Sequence, residues 1–288
     1  MSSGSICLVE KTTIFVKNNA LAMSSNLYKV FLLFFLVLRI GFAQSESNRT
    51  IRVLTFNIFH GATMKGDFDL DRIASVINSV QPDLVALQEV DHLTNRSKKY
   101  NLMNELAIRT NLSPLFARAM EFDGGEYGEG ILSKFTFISS RNVALPSPNE
   151  KEPRAAIEVV FRINKTDTIA FVGTHLDHTS EEVRLSQVEE INKAFLPNKY
   201  PTILAGDLNA VPGSESIHLL EKQWKTFYDP ENYEITFPHL SNPEEALKLD
   251  YIMAMPKQQW KELERRVIKD DIASDHYALL SVLELIDP

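Results

Sequence analysis

What most restricts the folds open to this chain is a pattern that begins at Thr50. Short runs rich in β-branched and aromatic residues alternate with amphipathic stretches, and the runs repeatedly end on polar side chains. Such alternation predicts an α/β domain in which helices cover mixed sheets. The expected strands cover residues 51–58, 83–90, 131–139, 155–163, 168–174, 202–205, 249–254 and 277–285. Helices are expected over residues 69–80, 100–111, 181–195 and 214–224. In the first of them Leu70, Ile73, Ala74, Ile77 and Val80 recur at helical spacing behind Asp69, and Pro82 closes the segment. No low-complexity linker or short repeat interrupts the pattern, so residues 50–287 read as one domain.

The polar strand ends carry the functional information. The run Pro201-Thr202-Ile203-Leu204 leads directly into Ala205-Gly206-Asp207-Leu208-Asn209, which presents a carboxylate and a carboxamide two residues apart. The C-terminal edge of an open α/β sheet is where such folds place their chemistry. Gly, Asp and Asn also favour plain turns, so this pentapeptide alone decides nothing. Five further positions repeat the theme: Asn57, Gln88-Glu89, Thr174-His175-Leu176-Asp177-His178, Asp250 inside Leu249-Asp250-Tyr251, and Ser274-Asp275-His276. A buried carboxylate without a partner is costly. Glu89 and Asp250, each set among apolar neighbours, should therefore face a cation, an imidazole or another donor.

Charge narrows the partners. Residues 1–43 carry Lys11, Lys17, Lys29, Arg39 and Glu10; without them 26 basic residues face 37 acidic ones, a net charge of −11. An acidic body argues against non-specific nucleic-acid binding, which needs clustered Lys and Arg. Some of that negative charge suits metal ligation instead. The single cysteine, Cys7, lies in the amino-terminal segment, so no disulfide framework or thiolate site is expected.

That segment reads as targeting. Residues 30–42 form a 13-residue apolar run interrupted by Arg39, preceded by Lys29 and followed by Ala43 and a polar stretch. Gly41 and Ala43 are the small residues of a cleavage site, so residues 1–43 are read as an N-terminal extension and signal peptide. A membrane span would need about 20 apolar residues. The expected location is secreted or periplasmic, with an uncleaved membrane anchor as the alternative. Translation starts at Met1 or at Met23, which opens a conventional signal sequence.

Taken in order, LTFNI, LQEV, THLDH, GDLN, LDYIM and SDHYAL resemble the endonuclease/exonuclease/phosphatase superfamily. The resemblance runs from about Ile51 to Leu285. It implies a four-layer α/β sandwich, two packed mixed β-sheets flanked by helices, of the DNase I-like type. Tyr127-Gly128-Glu129-Gly130-Ile131-Leu132-Ser133 is similar to the YGNAILS-like strand of small secreted or periplasmic members, and Glu152-Pro153-Arg154 to their EPR-like segment. Glu129 departs from that pattern, standing where the family residue is usually neutral.

The resemblance implies phosphoester hydrolysis, and these residues suit it. Phosphate esters are screened by anionic oxygens, so cleavage needs a divalent cation, an activated water and positive stabilisation of the leaving oxygen. Glu89 is the expected metal ligand, supported by the amide oxygen of Asn57 and by Asp275. An all-oxygen set favours Mg²⁺, with Mn²⁺ or Ca²⁺ as alternatives. Asp207 would hold and deprotonate the nucleophilic water, and Asn209 would orient it or the phosphate. His276, hydrogen-bonded to Asp250 across the sheet, is either an imidazolium facing a phosphate oxygen or the base itself. His175 resembles the second family histidine, contacting phosphate or assisting the leaving group. Arg154 and Asp177 are the substrate-binding candidates, with surface positions as the alternative; His60 and His92 stay unassigned.

The expected substrate is a small or lipid-borne phosphoester, met by a monomer that keeps no membrane span after processing. A secreted DNase I-like endonuclease is disfavoured by the charge and by the short loops between motifs. A catalytically silent binding module would require the loss of a core position, and none is lost.

Overall fold

In the computed structural model, residues 49–148 and 151–287 are described, and the elements named below lie within them. The signal peptide expected in residues 1–43 lies outside them. Among the described residues no helix is long and apolar enough to cross a membrane.

The chain opens with β1 (Thr50–Asn57), α1 (Leu70–Ser79), β2 (Leu84–His92) and α2 (Leu102–Thr110), followed by the hairpin β3 (Ser113–Phe122) and β4 (Gly125–Ser133). Next come β5 (Phe137–Leu145), β6 (Arg154–Arg162), β7 (Thr168–His175), α3 (Glu181–Phe195), β8 (Thr202–Asp207) and α4 (Glu215–Glu221). The two-residue β9 (Lys225–Thr226), β10 (Asp250–Met255), β11 (Trp260–Ile268) and β12 (Ala278–Leu285) complete the domain. Two six-stranded sheets result, ordered β11-β12-β1-β2-β4-β3 and β5-β6-β7-β8-β10-β9. Both are mixed: β1 runs parallel to β2 and β7 parallel to β8, while the other pairs are antiparallel.

Alternation of side chains along each strand gives every sheet two apolar faces, and the burial follows. Ile51, Val53, Ile131 and Leu283 of the first sheet meet Ile157, Phe171, Ile203 and Ala205 of the second in a central layer. The opposite face of the first sheet packs on α1 and α2 through Leu54, Phe56, Ile73, Ile77, Leu102 and Leu106. On the second sheet Val172 and Leu204 meet Val188, Ile191, Phe195, Ile217 and Leu220 of α3 and α4. These are the four layers expected from the resemblance. The helices start where their caps dictate: Asp69 accepts the Arg72 N–H at 3.0 Å, and Ser180 accepts that of Val183 at 3.4 Å.

Three expectations are corrected. The single strand expected over residues 131–139 is two strands in different sheets, because β4 stops at Ser133, whose hydroxyl accepts the Phe135 N–H at 2.9 Å and turns the chain. The helix expected over residues 214–224 is shorter, Glu215–Glu221. Finally, β3 and β11 were not anticipated; both are edge strands, rich in charged or exposed residues, and lack the apolar signature of a central strand.

Candidate active site

The candidate residues converge because register brings them together. In the second sheet His175, Asp207 and Asp250 occupy one row across β7, β8 and β10. In the first sheet Asn57 ends β1 beside Gln88. The ladder between β2 and β4 slips between Leu87 and Val90, and Glu89 sits in that bulge with φ 59°. A bulge re-aims a side chain, and here it sends Glu89 into the cleft instead of the core. His276 arrives on the segment before β12, which is pinned when Ser274 Oγ donates to the Asn57 carbonyl at 2.7 Å.

A cleft of about 500 Å³ opens over these ends, lined by Asn57, Glu89, Arg154, His175, Asp207, Asn209, Asp275 and His276 among others. Asp207 is its buried centre. One carboxylate oxygen accepts the Asn209 N–H at 2.9 Å. The other accepts Asn57 Nδ2 at 3.2 Å and stands 3.5 Å from both His175 Nε2 and His276 Nε2. His276 Nδ1 lies 2.9 Å from Asp250 Oδ2, the pair expected from the sequence. Burial would lower the His276 pKa, but Asp250 and Asp207 outweigh it and raise it to about 10, so the ring is an imidazolium. Burial, reinforced by Asp250, lifts Asp207 above the usual carboxylate range while the His276 charge pulls it back.

His175 is the opposite case. Its Nδ1 lies 2.7 Å from Arg154 Nη1, which can only donate, so Nδ1 is the acceptor and the proton is on Nε2. Burial and the Arg154 charge depress its pKa well below normal, which keeps the ring neutral. Arg154 is not a surface residue. It is buried, with Nη1 also 3.1 Å from Glu152 and Nη2 3.5 Å from His178 Nδ1.

Metal ligation fits the oxygen-rich side of the cleft. Burial alone would raise the Glu89 pKa, yet hydrogen bonding to His60 and Asn57 and the His276 charge hold it below the usual value, so Glu89 is ionised. Asp275 is raised by burial, and further by Glu89; two carboxyl groups that repel each other are what a bound cation relieves. Asp207, Asp250 and His276 also bring one ligand-type atom each within 4.8 Å of one another. In that group, however, His276 Nδ1 and Asp250 Oδ2 are bonded to each other, which makes it a hydrogen-bond relay before it is a cation cage.

Asn57 makes contacts the sequence does not show, and the Asp177 assignment changes. The amide oxygen of Asn57 accepts the Phe59 N–H at 3.1 Å, while its nitrogen donates to Glu89 at 3.1 Å and to Asp207. Asn57 therefore bridges two acids as a donor, with its oxygen turned to the Phe59 backbone. Asp177 is buried and accepts Thr179 N–H, Thr179 Oγ1 and Ser180 N–H, each at 2.8 Å; it closes the turn before α3 and does not face substrate. Of the unassigned histidines, His60 lies in the cleft 3.5 Å from Glu89, while His92 stacks on Phe116. Arg96, Phe122 and Tyr127 also line the cleft. The first two were missed: Arg96 lies in the loop after β2 and Phe122 at the end of β3, and nothing in either sequence marks it as a cleft wall.

A profile of the endonuclease/exonuclease/phosphatase family matches residues 54–276. The chain belongs to that family. Endonuclease/exonuclease/phosphatase proteins are hydrolases of phosphoesters and generally depend on divalent metal, and the polar strand ends recognised above fall within the matched span. A functionally unknown conserved protein from Enterococcus faecalis V583 shares the fold at TM-score 0.68 and 24% identity, over 82% of this chain and 100% of that one. An endonuclease/exonuclease/phosphatase protein from Beutenbergia cavernae aligns at TM-score 0.69 and 22% identity, over 83% and 72% of the two chains. The human Nocturnin catalytic domain, solved with a bound sulfate anion, aligns at 0.65 and 20%, over 82% and 95%. No curated protein sequence matches the chain.

Proposed function

We propose that this family member is a secreted phosphoesterase, a phosphodiesterase or phosphatase, that cleaves a P–O bond of a small or lipid-borne substrate with the help of a divalent cation. The observation that carries this reading is the buried Asp207 carboxylate, ringed by Asn57, His175 and an imidazolium locked on Asp250. Glu89 and Asp275 would hold the cation, Mg²⁺ by their hard oxygens, and it would supply Lewis-acid polarisation of the phosphoryl oxygen. Because His276 already carries its proton, the base role falls to Asp207, which accepts the proton of the attacking water. The positive His276 ring and the His175 Nε2–H then face the anionic phosphoryl oxygens as charge builds on them. Arg154 keeps His175 in the tautomer that can donate.

Export is supported by the apolar run in residues 30–42 and its flanking charge. Sequencing the amino terminus of the secreted product tests it, and a product beginning before Met23 rejects the Met23 start.

The enzymatic reading is tested by hydrolysis of bis-p-nitrophenyl phosphate, p-nitrophenyl phosphate, plasmid DNA and sphingomyelin, with and without Mg²⁺. The expected result is Mg²⁺-dependent cleavage of at least one small or lipid ester and its loss in Asp207→Ala. Metal-independent turnover, or an Asp207→Ala variant as active as the parent, would refute it.

A further inference from the structure

The cleft holds two guanidinium groups, and they differ in what remains free. Arg154 is enclosed: Nη1 faces His175 and Glu152, Nη2 faces His178, and Nε is sealed from solvent. Arg96 is held side-on. Its Nε and Nη2 each donate to Asp91 at 2.8 Å, and Asp91 is fully buried. Side-on pairing uses one edge of the planar group and leaves the end-on fork, Nη1 with the second Nη2 proton, unused. Nη1 has no partner among the described residues and is not among the atoms sealed from solvent; the side chain remains 32% exposed where it lines the cleft.

The surroundings fix this fork in place. The guanidinium carbon lies 4.5 Å from the Phe122 ring centroid and 5.6 Å from that of Tyr127. Asp91 also accepts Thr94 Oγ1 at 2.6 Å, and the Arg96 backbone N–H donates to Asp123 at 2.7 Å. Arg96 shares the cleft lining with Glu89, Arg154, His175 and Asp207, and the charges of Asp91 and Glu89 both act on it. Arg96 lines the cleft and its Nη1 is open to solvent, so that edge is available to an anion entering there.

We propose that Arg96, backed by Phe122 and Tyr127, is an anion subsite for the part of the substrate that is not cleaved, so the preferred substrate is a small phosphoester carrying a second phosphate group. This rests on the phosphoesterase reading and adds the substrate class to it. The scissile phosphate lies at Asp207, His175 and His276, and the second phosphate takes the free fork bidentately, an arrangement suited to a guanidinium and poorly matched by an ammonium.

The test is competition. Glucose 6-phosphate and glucose 1,6-bisphosphate are measured as inhibitors of bis-p-nitrophenyl phosphate hydrolysis at constant free Mg²⁺, and their direct binding is followed by calorimetry. The parent should bind the bisphosphate about tenfold or more tightly than the monophosphate. Arg96→Lys keeps a cation against Asp91 but has no second donor edge, so the ratio should collapse to about the twofold expected from two equivalent ends. If Arg96→Lys melts early, the paired Arg96→Met, Asp91→Asn variant, which leaves no buried charge alone, replaces it and should show the same collapse. A parent ratio near two, or a tenfold ratio that survives loss of the fork, overturns the subsite. Absence of any hydrolysis refutes the phosphoesterase reading instead, and the calorimetric ratio still decides the Arg96 assignment.

Discussion

At the scale of single residues, the site depends on which protons are held where. Asp250 supports the imidazolium form of His276, and without its charge the ring loses the largest of the interactions that offset burial. Asp250→Asn should therefore lower kcat by about 10²- to 10⁴-fold, as seen when a histidine loses its orienting carboxylate. The alkaline limb of its pH–rate profile should move to lower pH, because His276 then deprotonates earlier; a limb that stays in place argues against the imidazolium role. Glu129 offers a stability counterpart. It is fully buried, neither carboxylate oxygen has a hydrogen-bond partner, and burial raises its pKa well above the ordinary value despite the nearby Arg154 charge. An acid whose folded pKa lies above its unfolded one destabilises the fold progressively as pH rises past the unfolded value, until the folded value is reached. Glu129→Gln should thus be more stable than the parent above about pH 5, the gap widening by up to about 1.4 kcal/mol per pH unit within that window. Thermal melts of both proteins from pH 5 to 8 check this; parallel curves would rule it out. Glu129 was conspicuous in the sequence as a departure from a neutral position, and its lack of a partner gives that departure a physical content.

At the scale of elements, legibility follows burial. Central strands such as β7 and β8 must be apolar on both faces, so their ends were readable and the polar residues just beyond them stood out. The edge strands β3 and β11 face solvent and carry charges, and their sequences resemble loops. Bulges are equally silent: the slip that turns Glu89 toward the cleft leaves no mark in Leu87-Gln88-Glu89-Val90, although the acid itself was noticed. Asp177 was misread for a related reason, since an acid after a strand serves a turn as readily as a substrate. The closest backbone approach in the site concerns Gly206, next to Asp207. A Cβ there would stand 2.0 Å from the Thr174 carbonyl oxygen across the β7–β8 pairing. Gly206→Ala must push the two strands apart, and overpacking of this kind costs about 1–3 kcal/mol. Because the displaced strand carries Asp207, activity per folded molecule should fall as well. Thermal melts paired with active-site titration would show both effects, and a variant with normal turnover would mean that the row of His175, Asp207 and Asp250 tolerates more movement than its geometry suggests.

At the scale of the whole molecule, the cleft is a seam between two sheets. Asn57 and Glu89 come from the first, Arg154, His175, Asp207 and Asp250 from the second, and Asp275-His276 from the segment that leads back to the first. The acids gathered at this seam repel one another: Glu89 raises the pKa of Asp275, and Asp250 that of Asp207. A cation bound by Glu89 and Asp275 should hold the fold together as well as serve the reaction. Ligand binding to the native state alone stabilises by about 2.7 kcal/mol at a concentration one hundred times the dissociation constant. For a domain of this size each kcal/mol moves the melting temperature by about 2–4 °C. Saturating Mg²⁺ should therefore raise Tm by about 5–10 °C over protein treated with a chelator, and Glu89→Gln should lose most of that rise. The same substitution also removes a carboxylate whose pKa the fold holds below the usual value, so the metal-free variant should melt no higher than the metal-free parent. A Glu89→Gln protein that keeps the full Mg²⁺ shift would place the cation elsewhere in the cleft, with the Asp207, Asp250 and His276 group as the next set of ligands to vary.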